Sequence, residues 1–190
     1  MKKIKFWILI AVYLLLAFAD GALTYINTPD LSLEGNPLVA KLGLGWGALA
    51  IANIAVFILY FFTAYYCYFK YTTVYTKETK YTRYFSQIIF DRPDMFWKGA
   101  FLLPKRWKPF IAATGFALLY SGIVARLILV LEWLAITLDL PGSYHYFIFE
   151  DTYFFGRLDV IAGALVALFC VFYWFYLEFK KQLPQAQTTA

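Results

Sequence analysis

Asp20, Thr24, Asn53, Arg126, Arg157 and Asp159 are where chemistry would rest in this chain, because each puts a polar or ionisable group into an otherwise apolar run. In a bilayer such groups cost a few kcal/mol unless they find partners, so they mark an ion path, a proton relay or a ligand pocket. Asp20, Thr24 and Asn27 follow at i, i+4 and i+7 and share one stripe of a helix. A carboxylate on that stripe can hold a cation, carry a proton or act as an acid or base. Arg126 and Arg157 offset Asp20 and Asp159, so the set is nearly neutral. The plainer reading is that the pairs keep helices in register, through polar contacts worth about 0.6–2 kcal/mol.

The acids also admit a second chemistry. An aspartyl dyad needs two carboxyls sharing one proton to activate water. Asp159 with Asp20, Glu132 or Asp139 supplies the residue types, although a basic residue in the same cluster favours ionised carboxylates. Other constellations are thin. The chain has a single histidine, His145, which excludes a histidine-rich metal site and multi-haem ligation. Next to Glu150 and Asp151 it reads as an exposed loop, and Ser143 near it reads as a turn after Pro141-Gly142 without a nucleophile elbow. There is no Gly-rich phosphate loop with its lysine and no CxxC. Cys67 and Cys170 sit in apolar runs as small hydrophobes, at depths ~10 Å apart, too far for a bridge. No metal or cofactor is expected.

The elements that must position these residues follow from composition. Of 190 residues 62% are hydrophobic, 22% aromatic and 15% charged, with a mean hydropathy of +0.62. Soluble domains run about 45–50% apolar and about 25% charged. The excess is gathered into blocks at residues 6–26, 46–69, 110–131 and 155–179. Each is long enough to cross a bilayer at about 20 residues per span, and none alternates as a membrane barrel strand would. The expected fold is all-α: one domain over residues 1–190, an integral membrane bundle of four transmembrane helices arranged as two helical hairpins.

Charge in the connections predicts orientation. Lys2, Lys3 and Lys5 precede the first span, the 70–108 connection is rich in Lys and Arg, and Lys180 and Lys181 follow the last span. The other connections hold Asp30, Glu34, Asp139, Glu150 and Asp151 against Lys41. Both termini and the 70–108 loop are therefore expected in the cytoplasm. That loop is long enough to contain interfacial helix. Its aromatics, Tyr71, Tyr75, Tyr81, Tyr84, Phe85, Phe96, Trp97 and Phe101, read as a head-group belt rather than a nucleic-acid platform. The partners expected are membrane lipids, with anionic head groups drawn to the basic loop. Ala17-Phe18-Ala19 has the form of a signal-peptide cleavage site, but the apolar run continues to Ile26, so an anchor helix is expected.

Counting residues places the polar groups at one level. At ~1.5 Å per residue, Asp20 stands ~21 Å past Phe6, Asn53 ~10 Å past Trp46 and Arg126 ~24 Å past Phe110. Arg157 and Asp159 enter the last span from the same side. All lie toward the outer leaflet, and the inner half of the bundle is expected to hold almost no polar groups. Asp20, Thr24, Glu34, Asn36, Pro37 and Leu38 spell Asp-x-x-x-Thr and then Glu-x-Asn-Pro-Leu. This pattern, over roughly the first third of the chain, resembles a family of small prokaryotic multi-pass membrane proteins known only as a domain of unknown function. The resemblance implies a multi-pass membrane protein and no activity.

A weaker resemblance is to lipoprotein signal peptidases, four-helix aspartyl proteases of the inner membrane. Asp20-Gly-Ala-Leu-Thr24 is similar to that family's Asp-x-x-[Ser/Thr]-Lys without the lysine. Phe155-Gly-Arg-Leu-Asp159 is similar to its Asn-x-Ala-Asp segment without the asparagine and alanine. The third span has Arg126 and Glu132 where that family has Asn-x-x-Asp-Arg.

The expected function is a non-enzymatic transport, binding or accessory subunit of a prokaryotic plasma or inner membrane. Its polar pocket is built from Asp20, Thr24, Asn27, Glu34, Asn36, Asn53, Arg126, Arg157 and Asp159. The alternative is an intramembrane aspartate-dependent hydrolase using Asp159, Asp20 and Glu132. Gly43 and Gly47, a small-xxx-small pair, point to a homo-oligomer or a subunit of a larger complex.

Overall fold

Apolar runs of this length leave backbone N–H and C=O groups no partner except one another, and helix is the local solution. The computed structural model describes residues 2–32, 42–97, 102–140 and 158–188, and the regular structure among them is all helical, with no strand. The long helices are α1 (Lys2–Asn27), α2 (Trp46–Tyr65), α4 (Trp107–Thr137) and α5 (Leu158–Thr188). A short helix, α3 (Tyr81–Phe90), lies between α2 and α4. α2 runs on into a wider π turn over Tyr66–Lys70, closed by the Tyr71 N–H donating to the Tyr66 carbonyl at 2.8 Å. The four long helices are each long and apolar enough to cross a membrane. α4 starts earlier than its apolar run, at Trp107, because Pro109 falls in the first turn, where its missing N–H costs nothing.

Ring and side-chain contacts give the arrangement. Phe6 at the start of α1 meets Phe69 in the π turn that follows α2, with centroids 5.1 Å apart. Asn27 at the end of α1 donates to Thr137 at the end of α4 at 2.8 Å. Tyr71, just after the π turn, meets Trp174 of α5 at 5.0 Å. The long helices thus run alternately up and down. One end of the bundle carries the chain termini and α3 (the basic end); the other carries the tops of α1 and α4 (the Asp20 end).

α4 packs against all three other long helices, and its small residues let them approach. A Cβ added at Gly115 would stand 2.1 Å from the Thr63 carbonyl oxygen of α2. One added at Gly122 would stand 2.4 Å from the ring of Tyr60. Ala112, Ala113 and Ala117 continue this buried face. Close approach at small residues is how helices associate where no water drives them together. Among the described residues the Gly43/Gly47 pair has no such role: Gly43 precedes α2, and a Cβ at either glycine meets nothing within 4 Å. Large apolar side chains point outward instead, among them Phe18, Ile51, Phe62 and Phe169.

The 70–108 connection contains a helix, and that helix packs inward on the bundle. α3 is wedged against α4 and α5, and Tyr84, Ser86, Ile88, Ile89 and Phe90 are all buried. Tyr71, Tyr81, Tyr84 and Phe85 are packed inward on Phe172, Trp174, Phe175 and Phe179 of α5. Only Tyr75 and Trp97 of the expected belt are exposed; Phe96 is half-buried against Phe85, and Phe101 lies outside the described residues. The inward turn has a physical reason. α3 ends at Asp91 in the left-handed conformation, and the Ile89 carbonyl then accepts from both the Lys105 and Arg106 N–H groups. Those bonds tie the returning chain to the helix.

Candidate functional site

Arg126 extends from α4 into the seam between α1 and α2. One guanidinium nitrogen donates to Asp20 Oδ2 and the other to Asn53 Oδ1, so one side chain joins three helices. Asp20 is buried and Arg126 and Asn53 are partly so. Asn53 is oriented for its role because its Nδ2 donates back to the Leu49 carbonyl at 2.9 Å, which turns its oxygen toward Arg126. The charges balance within the cluster, as a buried cation and anion must to offset their lost hydration.

Aromatic residues form the floor. Tyr13 is buried, and both it and Tyr60 lie within electrostatic reach of the guanidinium. Gly122, one turn before Arg126 on α4, leaves the space in which both rings sit. Tyr13 stands seven residues before Asp20, and Tyr60 seven residues after Asn53. Two helical turns keep each pair on one face. That spacing is the signal by which the sequence could have revealed both tyrosines.

The remaining expected residues separate. Thr24 is buried, but its hydroxyl donates to the Asp20 backbone carbonyl at 2.8 Å, so it serves the helix rather than the carboxylate. Asn27 lies two turns beyond Asp20, where it donates to the Leu23 carbonyl at 2.9 Å and ties α1 to Thr137. Asp159 is buried in the first turn of α5 and Glu132 is half-buried on α4; each has a partner. Glu34, Asn36 and Arg157 lie outside the described residues, as do Pro37, Leu38, His145, Glu150 and Asp151. Beyond α1, Asp30 accepts from the Ser32 N–H at 3.1 Å and from the Thr28 and Ser32 hydroxyls. Those bonds, led by the Ser32 N–H, hold its carboxyl below the usual range.

The half of the bundle nearer the basic end, expected to hold almost no polar groups, does hold some. At the basic end α5 carries Glu178, 3% exposed, and Gln182, 1% exposed. Gln182 clamps the segment after α2. Its Oε1 accepts from the Thr76 N–H at 2.9 Å and the Thr76 hydroxyl at 3.1 Å, while its Nε2 donates to the Glu78 carbonyl at 2.6 Å. Glu178 Oε1 pairs with Lys181, whereas Oε2 is buried with no hydrogen-bond partner. The hydroxyls of Tyr71, Tyr84 and Ser86 are likewise buried without one. Burial first, and the nearby Glu178 carboxylate after it, push the Tyr71 phenol upward; burial again leads for Tyr84. Burial alone takes Tyr81 to about 12.

No protein-family model, curated protein or solved structure matches this chain. Among the described residues no group of three or more His, Cys, Asp and Glu is placed to hold a metal ion.

Proposed function

We propose that this is a multi-pass protein of a prokaryotic plasma membrane, with both termini cytoplasmic. It would serve as a non-enzymatic transport, binding or accessory subunit whose polar pocket opens toward the outer leaflet. The observation that carries the reading is Arg126 joining Asp20 and Asn53 across three helices. A cation–anion–amide set of this kind offers a polar ligand both a donor and an acceptor, at the meeting of three largely apolar helices. The outward-facing apolar side chains of α2, such as Ile51 and Phe62, support contact with lipid or with a neighbouring subunit. The ion pair also weighs against the hydrolase alternative, because an Asp20 carboxylate held by a guanidinium is a poor half of a proton-sharing dyad.

Thiol accessibility tests the proposal. Thr24→Cys and Ala52→Cys flank the cluster and are made with Cys67 and Cys170 replaced by alanine; Leu42→Cys, in the exposed connection, is the control. A membrane-impermeant maleimide added outside intact cells should label all three. If Leu42→Cys reacts while the other two stay unlabelled in folded protein, the cluster is a sealed clasp and there is no pocket. If Leu42→Cys reacts only from the inside, the orientation is wrong.

A further inference from the structure

We infer that the basic end carries a built site for one anionic glycerophospholipid, between the end of α3 and the start of α4. Phe90, Arg92, Met95, Leu102, Leu103 and Lys105 line a recess of about 230 Å³ there. Its two arms, 91–97 and 102–106, are tied together. The Ile89 carbonyl accepts from the Lys105 N–H at 2.9 Å and the Arg106 N–H at 3.1 Å, and Arg106 is ion-paired with Asp91. That pairing spends the charge of Arg106 and Asp91 on each other. Neither Arg92 nor Lys105 is in an ion pair among the described residues and the lining holds no carboxylate, so the recess presents two cations beside an apolar lining, with Asp94 exposed on the same arm. A guanidinium recognises phosphate oxygens through paired N–H groups, and an ammonium adds a point charge.

The apolar component selects a lipid over a soluble phosphate. Leu103 is 82% exposed and Leu102 is exposed beside it, a costly arrangement in water and a favourable one against acyl chains. The outer face of α4 continues the path with exposed Trp107, Phe110 and Ile111. A phosphate seated on Arg92 and Lys105 would let its chains run down that face. The α3 wedge is what sets the two cations and the leucines around one recess; a connection lying loosely on the membrane would spread them.

The inference rests on the chain being a membrane protein with this end at an anionic leaflet. Lipid retention in detergent does not depend on orientation, so the two can fail separately. Purified protein is exchanged into mild detergent, offered phosphatidylglycerol or phosphatidylcholine, and read by native mass spectrometry. One phosphatidylglycerol should remain bound, and R92Q/K105Q should lower its retention about tenfold, the equivalent of ~1.4 kcal/mol. Phosphatidylcholine retention should not change, and R92K/K105R should restore binding. L102S/L103S should weaken phosphatidylglycerol while leaving the weak binding of glycerol phosphate unaltered. Equal retention by folded R92Q/K105Q overturns the site. So does an equal loss in K77Q/K80Q, which would mean diffuse attraction to basic charge. Displacement by glycerol phosphate as readily as by lipid would show that the acyl chains contribute nothing.

Discussion

The two ends of the bundle both bury polar side chains, but use them differently. At the Asp20 end, charge meets charge across helices: Arg126 of α4 answers Asp20 of α1 and Asn53 of α2. At the basic end, Gln182 of α5 answers backbone, holding the Thr76 N–H and the Glu78 carbonyl of a connecting segment. Glu178 beside it has an oxygen without a hydrogen-bond partner, as do Tyr71 and Tyr84. The contrast follows from surroundings. Within the spans the backbone N–H groups are used by the helices themselves. Hydroxyl and amide donors such as Thr24 and Asn53 can share a carbonyl one turn back, but a carboxylate such as Asp20 must be answered by a side-chain donor. At the ends the chain leaves helical geometry and offers backbone groups that a side chain can hold. The first cluster sets how helices register; the second sets how a connection docks.

The largest effect should come from opening the charged clasp on one side. Arg126→Leu leaves Asp20 buried and unpaired, and should cost about 3–5 kcal/mol in thermal or denaturant unfolding of the detergent-solubilised protein. The neutral pair D20N/R126Q should recover most of that loss; if it is no more stable than Arg126→Leu alone, charge balance is not what the cluster provides. Next is the approach of α4 to α2. Gly115→Ala puts a Cβ against the Thr63 backbone and should cost about 1–3 kcal/mol. Gly47→Ala, with nothing nearby, should be within about 0.5 kcal/mol of the parent. Equal melting temperatures for the two would contradict the close packing.

Smaller and more local is Gln182→Ala. It strands the Thr76 N–H, at about 1–3 kcal/mol, and the change should be seen first as faster hydrogen exchange at residues 76–78. The smallest effect sharpens the comparison most. Glu178→Gln trades a half-satisfied buried carboxylate for a neutral amide at the expense of one ion pair with a part-exposed lysine. Its net effect should lie within about 1 kcal/mol of zero. The same carboxylate-to-amide change at Asp20 should destabilise clearly. If Glu178→Gln proves as damaging as Asp20→Asn, both ends rely on charge and the contrast fails.

The Asp20 cluster was largely legible along the chain. Counting at a fixed helical rise set Asp20, Asn53 and Arg126 at one level, and the structure joins them. Tyr13 and Tyr60 were legible in principle by their seven-residue spacing and went unread, because a tyrosine in an apolar run looks like packing. Thr24 shared the stripe of Asp20 yet bonds to its own helix, a choice that depends on side-chain rotamer and leaves no trace in spacing. The basic-end cluster was hidden for another reason. Glu178 and Gln182 flank Lys180 and Lys181, where the apolar run of α5 gives way to polar sequence and side chains normally face water.

The sequence alone determined that the chain is helical, where its four long apolar helices lie, and which of their residues share a level, since apolar length and helical rise are properties of local chain. Only the tertiary structure decided which polar groups meet. α3 turns inward over the ends of α4 and α5, burying Tyr84 and bringing Tyr71 and Glu178 to one place. That docking depends on Ile89, Lys105 and Arg106 coming together across a turn, and contacts between residues so far apart along the chain are set by packing rather than by periodicity.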